Sequence, residues 1–283
     1  MAGTSRPTDW ILHIEELLRR DDLEAALETP TSIFKLPESK TKDNPQAYSP
    51  CRVFLGPYQE MRPELHKMEI LKLENAKKAK QKFELPEFTE MVEQLKELDV
   101  QIRACYGQNL PMGSQALAWR ILIDGLFFLR LLGIYPNDNQ DKGKVYDSDR
   151  FEFELPVFNE QRLYLNSEEN ITTTQNEIAK DLLKLENQIP IQALKMVLPK
   201  NLFKENLPLL FYKFCASVSP LSLPPLDNPN FLASHNGWFP NLCGILDQSQ
   251  HLLHFLYTLF LYKRYLAFQQ PLQQRSDLFS LSC

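Results

Sequence analysis

DLLKLENQIP, residues 181–190, runs a helical stripe of leucines into three polar side chains and a proline. At about 100° per residue, Ile178, Leu182, Leu185 and Ile189 share a narrow arc that faces a core. Asp181 and Gln188 flank that arc on one edge and Glu186 on the other, while Asn187 points away. Pro190 has no N–H, so the carbonyl of Glu186 loses its helical partner. Ile189, which precedes the proline, is pushed out of helical geometry. Pro190 then opens a second helix over 191–198. A buried corner between two helices strands several backbone groups. Side-chain amides carry donors and acceptors that pair with them, and each orphan left buried costs about 1–3 kcal/mol. Asp181, Leu185, Glu186, Asn187, Gln188, Ile189 and Pro190 are therefore expected to build a structural corner rather than an active site.

Working outward, helical spacing recurs on both sides. Asp9 is placed to cap an amphipathic helix carrying Trp10, Ile11, Ile14, Leu17 and Leu18. Residues 29–60 carry five prolines and little helical period, which predicts extended chain and turns with one short strand at 52–55. Leu65, Met68, Ile70, Leu71 and Leu73 return to helical spacing. After Pro86 the pattern continues as one helix, with Met91, Leu95, Leu98 and Ile102 on one face. Residues 114–135 form the most apolar helix. Arg120, Asp124 and Arg130 would be expensive in lipid, so it reads as a core helix. A polar loop over 136–150, a short strand over 150–158, an apolar segment over 207–217, a proline-rich link and a last helix over 251–268 complete the pass.

Composition sets further bounds. Hydrophobic residues make up 43% and charged residues 24%, ordinary values for a globular chain with a sizeable core. A net charge of −5 does not suggest a nucleic-acid partner, which needs a basic face. The Lys77–Lys82 run is interleaved with glutamates and reads as a solvated helix face. Five cysteines without a Cys-x-x-Cys pair fit reduced thiols in a cytoplasmic setting. The first twenty residues do not read as a signal peptide, so the sequon at Asn170 reads as accidental. Glycines number nine, where about twenty would be average, and none forms a phosphate-cradling loop or a nucleophile elbow.

Three pieces of chemistry are open to a sequence reading. His251 and His254 stand three apart, half of a metal site, but no carboxylate or cysteine pair matches them. They read as structural, and no metal or cofactor is expected. Arg120 and Asp124 stand four apart in an apolar helix and read as an ion pair. A sharper reading adds Glu186, so that Arg120, Asp124 and Glu186 form a polar cluster in which two carboxylates could share acid–base work. Gly56-Pro57-Tyr58 reads as a tight turn with its ring packed on the domain.

Several blocks occur together in order: TPTSIFKLPES, NPQAYSPCRVFLGPYQE, LHKMEILKLENA, VEQLKELDVQIRACY, ILIDGLFFLRLLG, DLLKLENQIPIQAL and HLLHFLY. This ordered set, over roughly 29–262, resembles the plant family called domain of unknown function 247. The resemblance implies a largely helical domain, usually followed by a single membrane-spanning helix. In some members it implies a part in pollen–stigma self-incompatibility, and it carries no catalytic residues. Two departures stand out. Gln59 and Glu60 follow Tyr58 where family members often have two histidines. The chain also ends in a divergent tail where the family continues to its anchor.

The fold expected is mainly α: a multi-helix globular domain with an extended N-terminal segment and at most a few short strands. An amphipathic helix occupies 1–28, the helical domain 29–268, incomplete at its C-terminal end, and the tail 269–283. With the family's continuation missing, Leu252, Phe255, Leu256, Leu259 and Phe260 are expected to offer a sticky surface for self-association or a protein partner. The functional expectation is a non-catalytic interaction or recognition module, cytoplasmic or at the membrane periphery without its own anchor. The alternative is an enzyme built around Asp124 and Glu186.

Overall fold

The computed structural model describes residues 23–58, 66–107, 109–133, 171–198, 200–219 and 242–269, with a few positions between 11 and 19 and at 223. Of these, 69% are helical and none lies in a strand. In chain order the helices are α1 (Leu23–Glu28), α2 (Glu38–Thr41), α3 (Pro45–Tyr48), α4 (His66–Lys82), α5 (Phe88–Glu97) and α6 (Asp99–Ala104). They continue as α7 (Ser114–Leu131), α8 (Ile171–Leu182), α9 (Ile191–Val197), α10 (Lys200–Val218), α11 (Leu242–Gln248) and α12 (Leu252–Gln269). The cap foreseen at Asp9, the helix position Trp10, the strand over 150–158, the departures at Gln59 and Glu60, and the tail over 270–283 lie outside the described residues.

α7 is buried on almost every side, from Leu117 and Ala118 to Leu129 and Leu131. A helix apolar all round needs cover all round. Here α4, α5 and α9 pack against it. α9 packs over Gly125, where an added Cβ would meet Leu194 at 3.4 Å and Val197 at 3.6 Å, ordinary contact distances. At its far end Phe128 meets Phe211 of α10 edge-on at 5.9 Å, and Phe211 meets Phe255 of α12 at 5.5 Å. These perpendicular rings tie α7, α10 and α12 into one core.

The helix expected after Pro86 is two helices. Leu98 sits between α5 and α6 with φ −94° and ψ 5°, and α6 restarts at Asp99, whose carboxylate holds Arg103 at 2.8 Å. Arg103 in turn donates to the carbonyls of Leu110 and Met112, 3.1 and 2.7 Å away. The break therefore aims an arginine at the loop that leads into α7.

α4 ends in a left-handed cap. Leu85 N–H donates to Lys80 O at 3.0 Å, and Glu84 holds φ 50°. This is a Schellman closure with a glutamate where glycine is favoured. Glu84→Gly should raise the unfolding free energy by about 0.5–1 kcal/mol, read from the urea midpoint at constant m.

Candidate functional site

Residues 51–58 are bends, turns and irregular chain, and the strand expected at 52–55 does not form. The one β-bridge among the described residues pairs Ile33 with Tyr106. Side chains take the place of a partner strand. Asp181 accepts from three successive backbone N–H groups: Cys51 at 3.0 and 3.1 Å, Arg52 at 2.6 Å and Val53 at 3.0 Å. Asn187 Oδ1 accepts from Leu55 N–H at 2.6 Å, and its Nδ2 donates to Val53 O at 2.9 Å. Asp124 Oδ2 accepts from Gly56 N–H at 2.9 Å. Lys72 Nζ donates to Phe54 O at 2.7 Å. Backbone groups that a sheet ladder would satisfy are thus met by two carboxylates, one amide and one ammonium.

The same amides shape the corner. α8 stops at Leu182, short of the helix expected to reach Ile189, and Leu185–Asn187 forms a single 3-10 turn. Asn187 Nδ2 also donates to Asp181 O at 2.9 Å, and Gln188 Nε2 donates to Leu182 O and Lys184 O, both at 2.8 Å. Those are carbonyls that a continuing helix would have paired internally. Gln188 Oε1 accepts from Leu253 N–H at 3.1 Å, in the first turn of α12. Asn187 does not point away from the core: it is 1% exposed. A 3-10 turn advances the chain differently from an α-helix, so the expected wheel misplaces it. Leu185 and Glu186 belong to that turn, with Glu186 buried. Ile189 is buried, and Pro190 stands just before α9, its carbonyl accepting from Ala193 and Leu194.

Arg120 and Asp124 do not pair with each other. Asp124 Oδ1 lies 2.7 Å from Lys72 Nζ, and Arg120 reaches Glu69 at 3.1 Å. Lys72 also holds Glu69 at 3.1 Å, making a chain of four charges between α4 and α7. The i,i+4 expectation fails because α4 packs on α7 and brings in Lys72, a closer cation. Burial pushes the Asp124 carboxyl above its usual range, and Lys72 first, then Arg120, draws it back. Lys72 and Asp124 are both 0% exposed. Asp124 is therefore no part of a solvent-reachable cleft, and Glu186 makes no described contact with it. Lys72 escaped the sequence reading, though a signal was present: it shares a stripe with Met68, Asn75, Ala76 and Ala79, all buried.

Gly56 closes the segment with φ 76°; a Cβ there would meet Gln188 O at 3.2 Å. Tyr58 is buried, its hydroxyl donates to Ile33 O at 3.1 Å, and its ring meets Tyr106 edge-on at 5.2 Å. Tyr106 donates to Gln188 O at 3.1 Å. Asn187, Gln188, residues 51–56 and the Ile33 bridge thus form one continuous network.

The family described as "Plant protein of unknown function", DUF247, matches residues 33–276. The chain belongs to this family. Among similar sequences is a putative UPF0481 protein of Arabidopsis thaliana, 28% identical over 258 residues, which are 89% of this chain and 42% of the relative. A second UPF0481 protein of the same plant is 31% identical over 180 residues, 61% of this chain and 32% of the relative. The chain thus spans less than half the length of these relatives. No solved structure matches it.

The remaining expected surface residues fall differently. Leu252, Phe255, Leu256 and Leu259 are buried, at 1%, 0%, 8% and 0% exposure, and do not form a surface. α10 and α11 cover that side of α12, which the sequence alone could not place. Phe260 is half-buried; the exposed apolar groups are Tyr257 and Leu261, at 59% and 44%. An open groove of about 380 Å3 runs beside them, lined by His251, Leu253, His254, Leu256, Tyr257 and Phe260. Cys51 and Cys243 are exposed, Cys105 and Cys215 buried, all as free thiols. Burial pushes Cys105 up to about 11 and Cys215 higher still, which keeps both protonated. Among the described residues no helix is long and apolar enough to cross a membrane, and no His, Cys, Asp or Glu group is placed to hold a metal ion.

Proposed function

We propose that this DUF247 domain works as a protein-interaction module, with a recognition or signalling role at the cell periphery, rather than as a catalyst. The observation that carries the reading is the outer strip of α12. Tyr257 and Leu261 stand exposed one helical turn apart, with Phe260 and the groove beside them. An aromatic and a leucine next to an apolar cleft make a surface suited to another protein's apolar side chains. Further support comes from the polar residues of the corner. Asp124, Asp181, Asn187 and Gln188 are engaged on backbone groups of the chain itself, which favours scaffold over turnover.

A second copy of the chain is the partner that tests this most directly. Sedimentation velocity across a concentration series should show self-association that Tyr257→Glu with Leu261→Glu abolishes. Both side chains face solvent, so the double variant should keep the melting temperature within about 2 °C. A chain that stays monomeric, and whose co-purifying proteins are the same with and without the two changes, overturns the reading.

A further inference from the structure

α12 begins with two histidines in reciprocal use. His251 precedes the helix, and its Nδ1 accepts from His254 N–H at 3.3 Å. His254 reaches back, its Nδ1 accepting from Gln250 N–H at 3.1 Å. This is similar to a capping box, with imidazoles in place of the usual hydroxyl and carboxylate, except that His254 closes on the N–H of Gln250, one residue before the N-cap His251. His251 Nε2 lies 3.2 Å from Ser32 O. A carbonyl only accepts, so Nε2 carries the proton and Nδ1 is bare. Both rings therefore work as neutral acceptors at the positive end of a helix dipole. We propose that His251 and His254 form an acid-sensitive latch, which holds the first turn of α12, the groove wall and the segment around Ser32 together at neutral pH and loosens them in acid.

Protonation opens the latch in two ways. It converts each Nδ1 from acceptor to donor, leaving two backbone N–H groups facing N–H groups. It also places positive charge where the helix dipole is already positive. Burial acts first on both rings; for His251 the Ser32 carbonyl and then His254 follow. α9 and α11 carry a charge pair, Lys195 with Asp247, at 2.9 Å. His251 is held down to about 4 by burial, and His254 is lowered for the same reason. A histidine whose folded value lies below its free value stabilises fully above about 6.5 and loses that stabilisation as pH falls toward 4. The latch stands whether or not the groove takes a partner.

Hydrogen exchange of the full chain, corrected for intrinsic rates, tests it. Between pH 7.5 and 5.0, protection of amides 252–256 should fall about 30-fold more than that of the α7 interior, the factor for one histidine that titrates only when open. His251→Asn with His254→Asn keeps an acceptor at both positions without a titrating group, and its protection should be flat across the range. Should that variant fold poorly, ring nitrogen shifts of the wild-type chain decide. Both rings should be Nε2-protonated at pH 7.5 and titrate below 6.5. Equal loss of protection in α7 and α12, a pH response kept by the double variant, or an Nδ1-protonated ring at pH 7.5 each overturns the latch.

Discussion

Asn187→Leu is expected to lower the unfolding free energy by about 3–5 kcal/mol, with a fall of about 6–20 °C in melting temperature for a chain of this size. Leucine matches asparagine in size but offers neither donor nor acceptor. Leu55 N–H, Val53 O and Asp181 O would each lose a partner. All three lie where water does not reach readily, since Val53 and Leu55 are 0% exposed and Asp181 1%. The damage should also be local before it is global. Residues 51–56 have no strand beside them, so their amides should gain exchange first. Asn187→Asp keeps the acceptor for Leu55 but loses both donors, and sets a carboxylate near Asp181; it should be no milder. Urea unfolding followed by circular dichroism gives the free energy, and exchange mapping gives the place. An unchanged midpoint for Asn187→Leu, with some activity abolished, would restore the enzymatic alternative.

Lys72→Met is expected to cost about 3–5 kcal/mol as well, by a different route. Methionine fills the volume but strands the Asp124 carboxylate in the core, frees the Phe54 carbonyl and leaves Glu69 with Arg120 alone of its two cations. Removing one member of a buried pair is worse than removing both. Adding Asp124→Asn should therefore recover a substantial part of the loss, because the amide still accepts from Gly56 N–H and carries no charge. The coupling between the two sites should be at least 1 kcal/mol in a double-mutant cycle. A pH series gives an independent sign. Asp124 is already raised by burial, so its contribution is greatest below the free carboxylate value and is lost as pH rises through the folded value. Without Lys72 the folded value rises further. The single variant should then approach wild-type stability in mild acid and fall away from it toward neutrality, and the double variant should not. Equal losses in the single and double variants at every pH would mean that the pair matters only through packing.

Much of the architecture was open to a reading of local pattern. The apolar stretch from Ser114 became the central helix because no other cover suits so many leucines and phenylalanines. The corner at Pro190 was legible because proline removes an N–H whatever surrounds it. Ordered blocks from Thr29 to Tyr262 pointed to the family that the comparison over 33–276 establishes. Other features had no local signature. Helical spacing ran through Leu98 and through Leu183, yet the chain breaks at both. At the second, distant carbonyls and amides compete for the same hydrogen bonds.

What the sequence determined by itself was the class of fold, the central helix and the corner at Pro190 that opens α9, because these follow from side-chain periodicity and from the chemistry of one proline. What only the tertiary structure decided was which charges meet, which face of α12 is covered and what Asn187 holds. Lys72 reaches Asp124 from another helix, 52 positions earlier, and Asn187 reaches Leu55 across 132. Such partners are chosen by how helices pack, and packing depends on the whole set of buried surfaces at once rather than on any one segment.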